Sequence, residues 1–175
     1  MTAPALPEDV TAVLRGVFTC EFTTVGREGR PMTWPCVTYF DPASGQIVAA
    51  VSIAFPQKAY NARRHPQVSL LYSDPTGSGL EHPPAVLVQG DAAVAEVLDY
   101  PPPIIGLFRT VARRQPDSER FTRNRVVRRL FAWYLFQRLS LTVTPRRVTV
   151  WPGGDFGAEP RVIDVARAID VSHVG

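Results

Sequence analysis

The sequence predicts a mainly β protein, an antiparallel barrel of about six strands with helices added late in the chain. Three observations carry this expectation. Short apolar or alternating segments follow one another from residue 17 to residue 97, separated by turn sequences such as 26–30 and 41–45. Two more such segments lie within 141–151, beyond a stretch of helical periodicity. The 175 residues, 45% hydrophobic and 20% charged, suit a single domain over 1–175 with a sizeable core.

Residues 7–14 read as a leading helix: Pro7 opens it, Glu8 and Asp9 follow, and Val10, Val13 and Leu14 form an apolar stripe. Residues 17–25, 31–40 and 46–52 form an antiparallel meander, and the third strand is apolar on both faces, as an interior strand should be. Residues 56–64 read as one or two helical turns, opened by Pro56 and stopped by His65-Pro66. A fourth strand covers 68–72, and a loop rich in Gly and Pro covers 74–84. The fifth strand, 85–97, bends near Gly90. Helical segments at about 101–113 and 118–138 make an insertion between the fifth and sixth strands. Residues 141–144 and 147–151 read as separate strands, and 153–175 as a tail.

Net charge is +3 and unevenly placed. Residues 109–147 hold eleven Arg against Asp117 and Glu119, whereas Lys58 is the one Lys in the chain. In the second inserted helix, Val126, Leu130, Phe131 and Tyr134 lie opposite Arg123, Arg125, Arg128 and Arg129. A basic amphipathic helix can bind nucleic acid or anionic lipid, but the favoured reading packs its apolar face on the barrel and leaves its charges in water. A third reading has the Arg face draw an acidic cofactor or substrate into the adjacent cleft. Neither nucleic acid nor a membrane is an expected partner. No apolar run reaches the ~20 residues of a membrane span. The N-terminus lacks the pattern of a signal peptide, so the expected compartment is the cytoplasm.

Cys20 and Cys36 are too few for a metal site, and the three His show no ligand spacing with them, so no metal is expected. A turn centred on Glu28 sets the two cysteines opposite each other, with Cβ atoms about 5 Å apart. A redox pair is one reading. Two small buried hydrophobes in a reducing cytosol is the favoured one.

Hydrolase, nucleotide-loop and zinc-protease signatures are missing, so any chemistry should be carried by a cofactor. The informative stretch runs from Gly29 to Gly90. It holds Gly29-Arg30-Pro31 in a turn, Trp34-Pro35-Cys36-Val37 in a strand, Ser52 at a strand end, then Gln57-Lys58 and Asn61-Ala62-Arg63-Arg64-His65-Pro66. Far downstream stands Trp151-Pro152-Gly153-Gly154-Asp155. This ordered set resembles the pyridoxamine 5′-phosphate oxidase-like family of FMN-binding split β-barrels. There a Ser-Arg-Lys or Arg-Lys step follows a strand end, a short helix ends in Asn-Pro, and a Trp-x-Gly-Gly-acid step follows the last strand.

The resemblance implies a six-stranded antiparallel split barrel that binds FMN and transfers hydride to or from an unidentified small molecule. It implies a homodimer with the cofactor cleft at the interface, covered by Trp151 from the other protomer. Lys58 and Gln57 would stand at the phosphate. Trp34, Pro35, Cys36, Val37 and Thr38, with Val51 and Ser52, would line the ring and ribityl chain, and Arg161 would add a second contact. The residues agree with this physically: Lys58 adds a point charge to the exposed N–H groups of a short helix, and Pro35 interrupts its strand's ladder. The family's Arg-x-His step after the Trp motif is absent, and Gln57 and Val86 replace an Arg and a Gln, so vitamin B6 oxidation is not expected. The alternatives are a reductase using the deazaflavin coenzyme F-420, whose acidic tail suits the Arg-rich insertion, and a flavin- or haem-binding module without turnover. No catalytic side chain is singled out.

Overall fold

The computed structural model describes residues 6–52, 56–95 and 138–165. Helix α1 (Glu8–Gly16) starts after Pro7, carries Glu8 and Asp9 in its first turn and Arg15 in its last, and buries Val10, Val13 and Leu14. Strands β1 (Thr19–Val25), β2 (Pro31–Asp41) and β3 (Gln46–Ser52) form the expected meander. Helix α2 (Gln57–Arg64) follows, ending where His65 turns extended before Pro66. Strands β4 (Gln67–Tyr72), β5 (Ala85–Val94), β6 (Arg138–Trp151) and β7 (Arg161–Asp164) complete the sheet.

All pairings are antiparallel, in the order β3-β2-β1-β4-β5-β6-β7, and β3 also pairs with β6. That extra pairing closes a six-stranded barrel, with β7 outside it. The predicted fold class is therefore observed. Strand β6 serves two neighbours on one edge. Its first half, to Val143, pairs with β3, and its second half, from Arg147, pairs with β7. Strand β2 is split in the same sense: Thr38–Asp41 pairs with β3, but among the described residues Pro31–Val37 pairs only with β1.

Alternation fills the interior. Cys20, Phe22 and Thr24 of β1 and Cys36, Thr38 and Phe40 of β2 are buried, as are Leu70, Val86, Val88, Leu141 and Val143. The predicted face-to-face placement of Cys20 and Cys36 is met in the register.

Three expectations need correction. Residues 141–144 and 147–151 are not separate strands but one strand that absorbs an extra residue at Arg146, where the register passes from Gln89 opposite Arg147 to Gly90 opposite Pro145. Pro145 looked like a strand breaker because a proline cannot complete a regular ladder; the bulge tolerates it. The tail contains β7, too short a pattern to recognise. Arg138 begins β6 rather than ending a helix. The inserted helices themselves, and residues 96–97 of the fifth strand, lie outside the described residues.

Gly90 makes the bulge fit. A Cβ built there would lie 2.3 Å from the Thr144 carbonyl oxygen, so no side chain is tolerated without moving backbone. Gly90→Ala should destabilise the fold by roughly 1–3 kcal/mol, lowering the melting temperature by about 5 °C. An unchanged melting curve would show that β5 and β6 do not approach this closely.

Candidate functional site

Lys58 lies in the first turn of α2, the part of a helix whose N–H groups lack intrahelical partners, and no side chain caps that end. The helix is pinned by a buried amide. Asn61, fully buried, donates to the Thr24 hydroxyl at 3.0 Å and accepts from Gln57 at 2.8 Å. Ala59 and Ala62 pack beside it. With the helix fixed, the half-buried Lys58 side chain reaches β2. Its ammonium donates to Cys36 Sγ at 3.6 Å and stands 5.9 Å from the centroid of the Trp34 ring. A cation over an indole face is a favourable contact.

The structure thus brings together Lys58, Trp34 and Cys36. Of the other expected residues, Pro35 is exposed and Val37 half-buried on the opposite face of β2, in the stretch that among the described residues pairs only with β1. Val51 is buried in the core, and Ser52 is buried opposite Arg138. Gln57 is exposed and turned to Asn61. Trp151 ends β6 opposite Ala85, and its ring lies 5.2 Å from that of Phe156. Arg161 is ion-paired with Asp9 of α1.

Sequence reasoning missed a polar chain inside the barrel. The Thr38 and Tyr72 hydroxyls are hydrogen-bonded at 2.8 Å, and Tyr72 is almost fully buried. Cys20 lies against both hydroxyls and opposite Cys36. Burial pushes the Cys20 thiol far up, with the nearby Cys36 adding to the shift. Burial also raises Cys36, opposed by the charge and hydrogen bond of Lys58. Tyr72 is raised in the same way. The signal available beforehand was a Thr, a Tyr and two Cys at inward positions of neighbouring strands.

Two cavities lie apart from Lys58: an open groove of about 440 Å³ beside Gln89 and Arg146, and one of about 290 Å³ beneath the β4–β5 loop at His82. Among the described residues no group of three or more His, Cys, Asp or Glu is placed to hold a metal ion. No helix there is long and apolar enough to cross a membrane.

No protein-family model matches the chain, and no curated protein matches it. Solved structures do. A conserved hypothetical protein from Mycobacterium tuberculosis is 22% identical, with 91% of this chain and 92% of that one covered and a TM-score of 0.58. A heme binding protein from Mycobacterium smegmatis is 12% identical, covering 95% of this chain and 62% of that one, with a TM-score of 0.58. A protein from Clostridium acetobutylicum, related to general stress protein 26 and described as of the pyridoxinephosphate oxidase family, is 7% identical. It covers 91% of this chain and 94% of that one, with a TM-score of 0.56. At such identities the likeness defines the fold: this chain is a split β-barrel of the pyridoxamine 5′-phosphate oxidase-like type.

Both cysteines are free thiols in the structure. Thiol reagent at pH 8 should label the native protein slowly, and both thiols should react once it is unfolded. Because the folded state holds both thiols neutral, stability should be constant below the ordinary thiol value of 9.0 and fall above it, as the unfolded chain ionises. Urea midpoints at pH 7 and pH 10 check the sign; a higher midpoint at pH 10 would contradict it.

Proposed function

We propose that the chain is a flavin-binding protein that holds FMN at the mouth formed by Trp34, Cys36 and Lys58, and acts as an oxidoreductase on a small molecule. The observation that carries this reading is the position of Lys58: a single ammonium, at an uncapped helix start, held beside a flat aromatic face. The donor set fits the group. Ammonium and first-turn N–H groups suit a phosphate, and the indole suits a planar ring. Among the described residues the Pro31–Val37 stretch of β2 pairs only with β1, and its other edge offers backbone N–H and C=O groups to the rim of that ring.

When bound, FMN supplies hydride transfer at its N5. The residues of this chain bind, orient and shield. Lys58 neutralises the phosphate, and Asn61 keeps α2, and hence Lys58, in place through Thr24. Cys36, neutral by burial, accepts the Lys58 hydrogen bond and leaves the ammonium its full positive charge. Ser52 adjoins the site from the end of β3, with Gln57 at the outer rim; Val51 supports it from within the core, and Pro35 and Val37, whose side chains lie on the other face of β2, contribute only their backbone edge.

The same reading makes the protein a homodimer. The edge at Pro31–Val37 is where a second copy completes the cleft, with Trp151 of the partner subunit covering the cofactor, and Arg161 flanking it once released from Asp9. A protein that bound flavin tightly yet sedimented as a monomer at micromolar concentration would contradict this arrangement. Two alternatives keep a specific support each: the deazaflavin coenzyme from the eleven Arg of 109–147, and haem storage without turnover from the likeness to a heme binding protein.

A charged hydrogen bond to phosphate contributes roughly 1.5–3 kcal/mol. Lys58→Ala should therefore weaken FMN binding by about 10- to 150-fold in a fluorescence-quenching titration, with little change in fold stability. Equal affinities would remove Lys58 from the site.

A further inference from the structure

Cys20 and Cys36 form one cross-strand pair on the inner face of β1 and β2, and both are free thiols. Their surroundings differ. Cys36 is 7% exposed and lies beside the half-buried Lys58, whose ammonium donates to its sulfur at 3.6 Å. Cys20 is 1% exposed and lies against the Thr38 and Tyr72 hydroxyls. A cation beside a sulfur stabilises its thiolate, and Cys36 has that cation. The charges felt at Cys20, those of Cys36 and Glu21, oppose its ionisation.

The register sets how far apart the two sulfurs start. At the neck of the β1–β2 turn the Gly26 N–H donates to the Arg30 carbonyl at 2.8 Å. Counting from there in steps of two makes Cys20–Cys36 a hydrogen-bonded pair. Pro35, which has no N–H, then falls opposite Glu21 in a non-hydrogen-bonded pair, where none is needed. The Thr23 and Thr33 hydroxyls, 2.8 Å apart across another such pair, fit the same alternation. Cβ atoms of a hydrogen-bonded pair stand about 5 Å apart, against about 3.8 Å in a disulfide, so a bond there draws the strands together. Cys36 can supply the movement, because among the described residues Pro31–Val37 pairs only with β1. A disulfide made at that cost is readily reduced.

We propose that Cys36 is a peroxide-sensitive thiol and that Cys20 resolves it into a reversible disulfide across β1 and β2. Cys36 gives its thiol proton to water, and Lys58 stabilises the thiolate that remains. The sulfur attacks one oxygen of hydrogen peroxide, the O–O bond breaks and hydroxide leaves, so Cys36 becomes a sulfenic acid. The Cys20 sulfur then attacks the Cys36 sulfur, the S–O bond breaks, and the hydroxyl departs as water with the Cys20 proton. The two thiols lose two electrons, and the peroxide is reduced to two waters. Peroxide is little larger than water and so reaches a sulfur that a bulky thiol reagent labels slowly. Once oxidised, the Cys36 sulfur faces Cys20 and Lys58 is left without it. What this does to a cofactor rests on the flavin reading; the thiol chemistry does not.

The test is to expose the full-length chain, without added flavin, to about 1 mM hydrogen peroxide and count thiols after unfolding in denaturant. Both thiols should disappear in step, the intact mass should fall by about 2 Da, and peptides holding Cys20 and Cys36 should be joined within one chain until dithiothreitol frees them. In Cys20→Ser, dimedone should trap a sulfenic acid at Cys36; in Cys36→Ser, Cys20 should keep its thiol under the same exposure. Lys58→Met should slow the wild-type reaction by about ten-fold, and Lys58→Arg, which keeps the charge, should recover most of the rate. Thiols that survive peroxide untouched, a disulfide formed only between chains, oxidation of Cys36 to sulfinic acid without a disulfide, or Cys20 reacting as fast in Cys36→Ser would each overturn the proposal. So would a Lys58→Met chain that oxidises at the wild-type rate.

Discussion

The approach of Gly90 to the carbonyl of Thr144 is the contact on which the barrel depends, since it lets β5 and β6 cross where a side chain would hold them apart. The extra residue this allows at Arg146 changes the direction of β6 and frees that side chain to pair with Asp91 at 2.8 Å. Two consequences follow from the change of direction. The first half of β6 can reach β3 and close the barrel, and the second half runs on to pair with β7 and to place Trp151 beside Phe156. Closure therefore ends partway along β2, leaving Pro31–Val37 with one open edge among the described residues. The candidate site sits at that edge because the barrel is closed only in part.

A second constraint is polar. An apolar barrel interior penalises unpaired polar groups, and this one holds Thr24, Thr38, Asn61 and Tyr72. Each is paired, Asn61 with Thr24 and Thr38 with Tyr72, and among the described residues no buried side-chain N or O atom lacks a partner. The Asn61 bond does more than satisfy its own amide. It ties α2 to β1, and so fixes the height at which Lys58 meets Trp34 and Cys36. The same contact explains why the two cysteines differ: both are raised by burial, but only Cys36 has a cation beside it to oppose the shift.

Much of this fold was legible because its signals are local. Turn residues at 26–30 and 41–45 set the meander, and the placement of the first turn alone put Cys20 opposite Cys36. The stop at His65-Pro66 and the irregularity at Gly90 follow from single residues of unusual backbone chemistry, a proline that restricts the residue before it and a glycine that lacks a Cβ. The failures are places where distant chain decides. Pro145 interrupts a strand pattern, and only its partner across the sheet shows that a bulge accommodates it. The four residues of β7 carry no period of their own and become a strand by lying on β6. At the site, the resemblance grouped Lys58 with Trp34 and Cys36. Their contact, and the Asn61 bond that enforces it, depends on how α2 docks against the barrel. The attachment of Arg161 to Asp9 joins residues more than 150 positions apart, beyond any pattern in sequence.

The most direct test of a flavin-holding site is the visible absorption spectrum of the full-length protein, purified and then reconstituted with excess FMN and passed through a desalting column. The account predicts the two-banded flavin spectrum at about one FMN per chain, released on denaturation. A Soret band from the purified protein, or a colourless protein that retains no flavin after reconstitution, would contradict it.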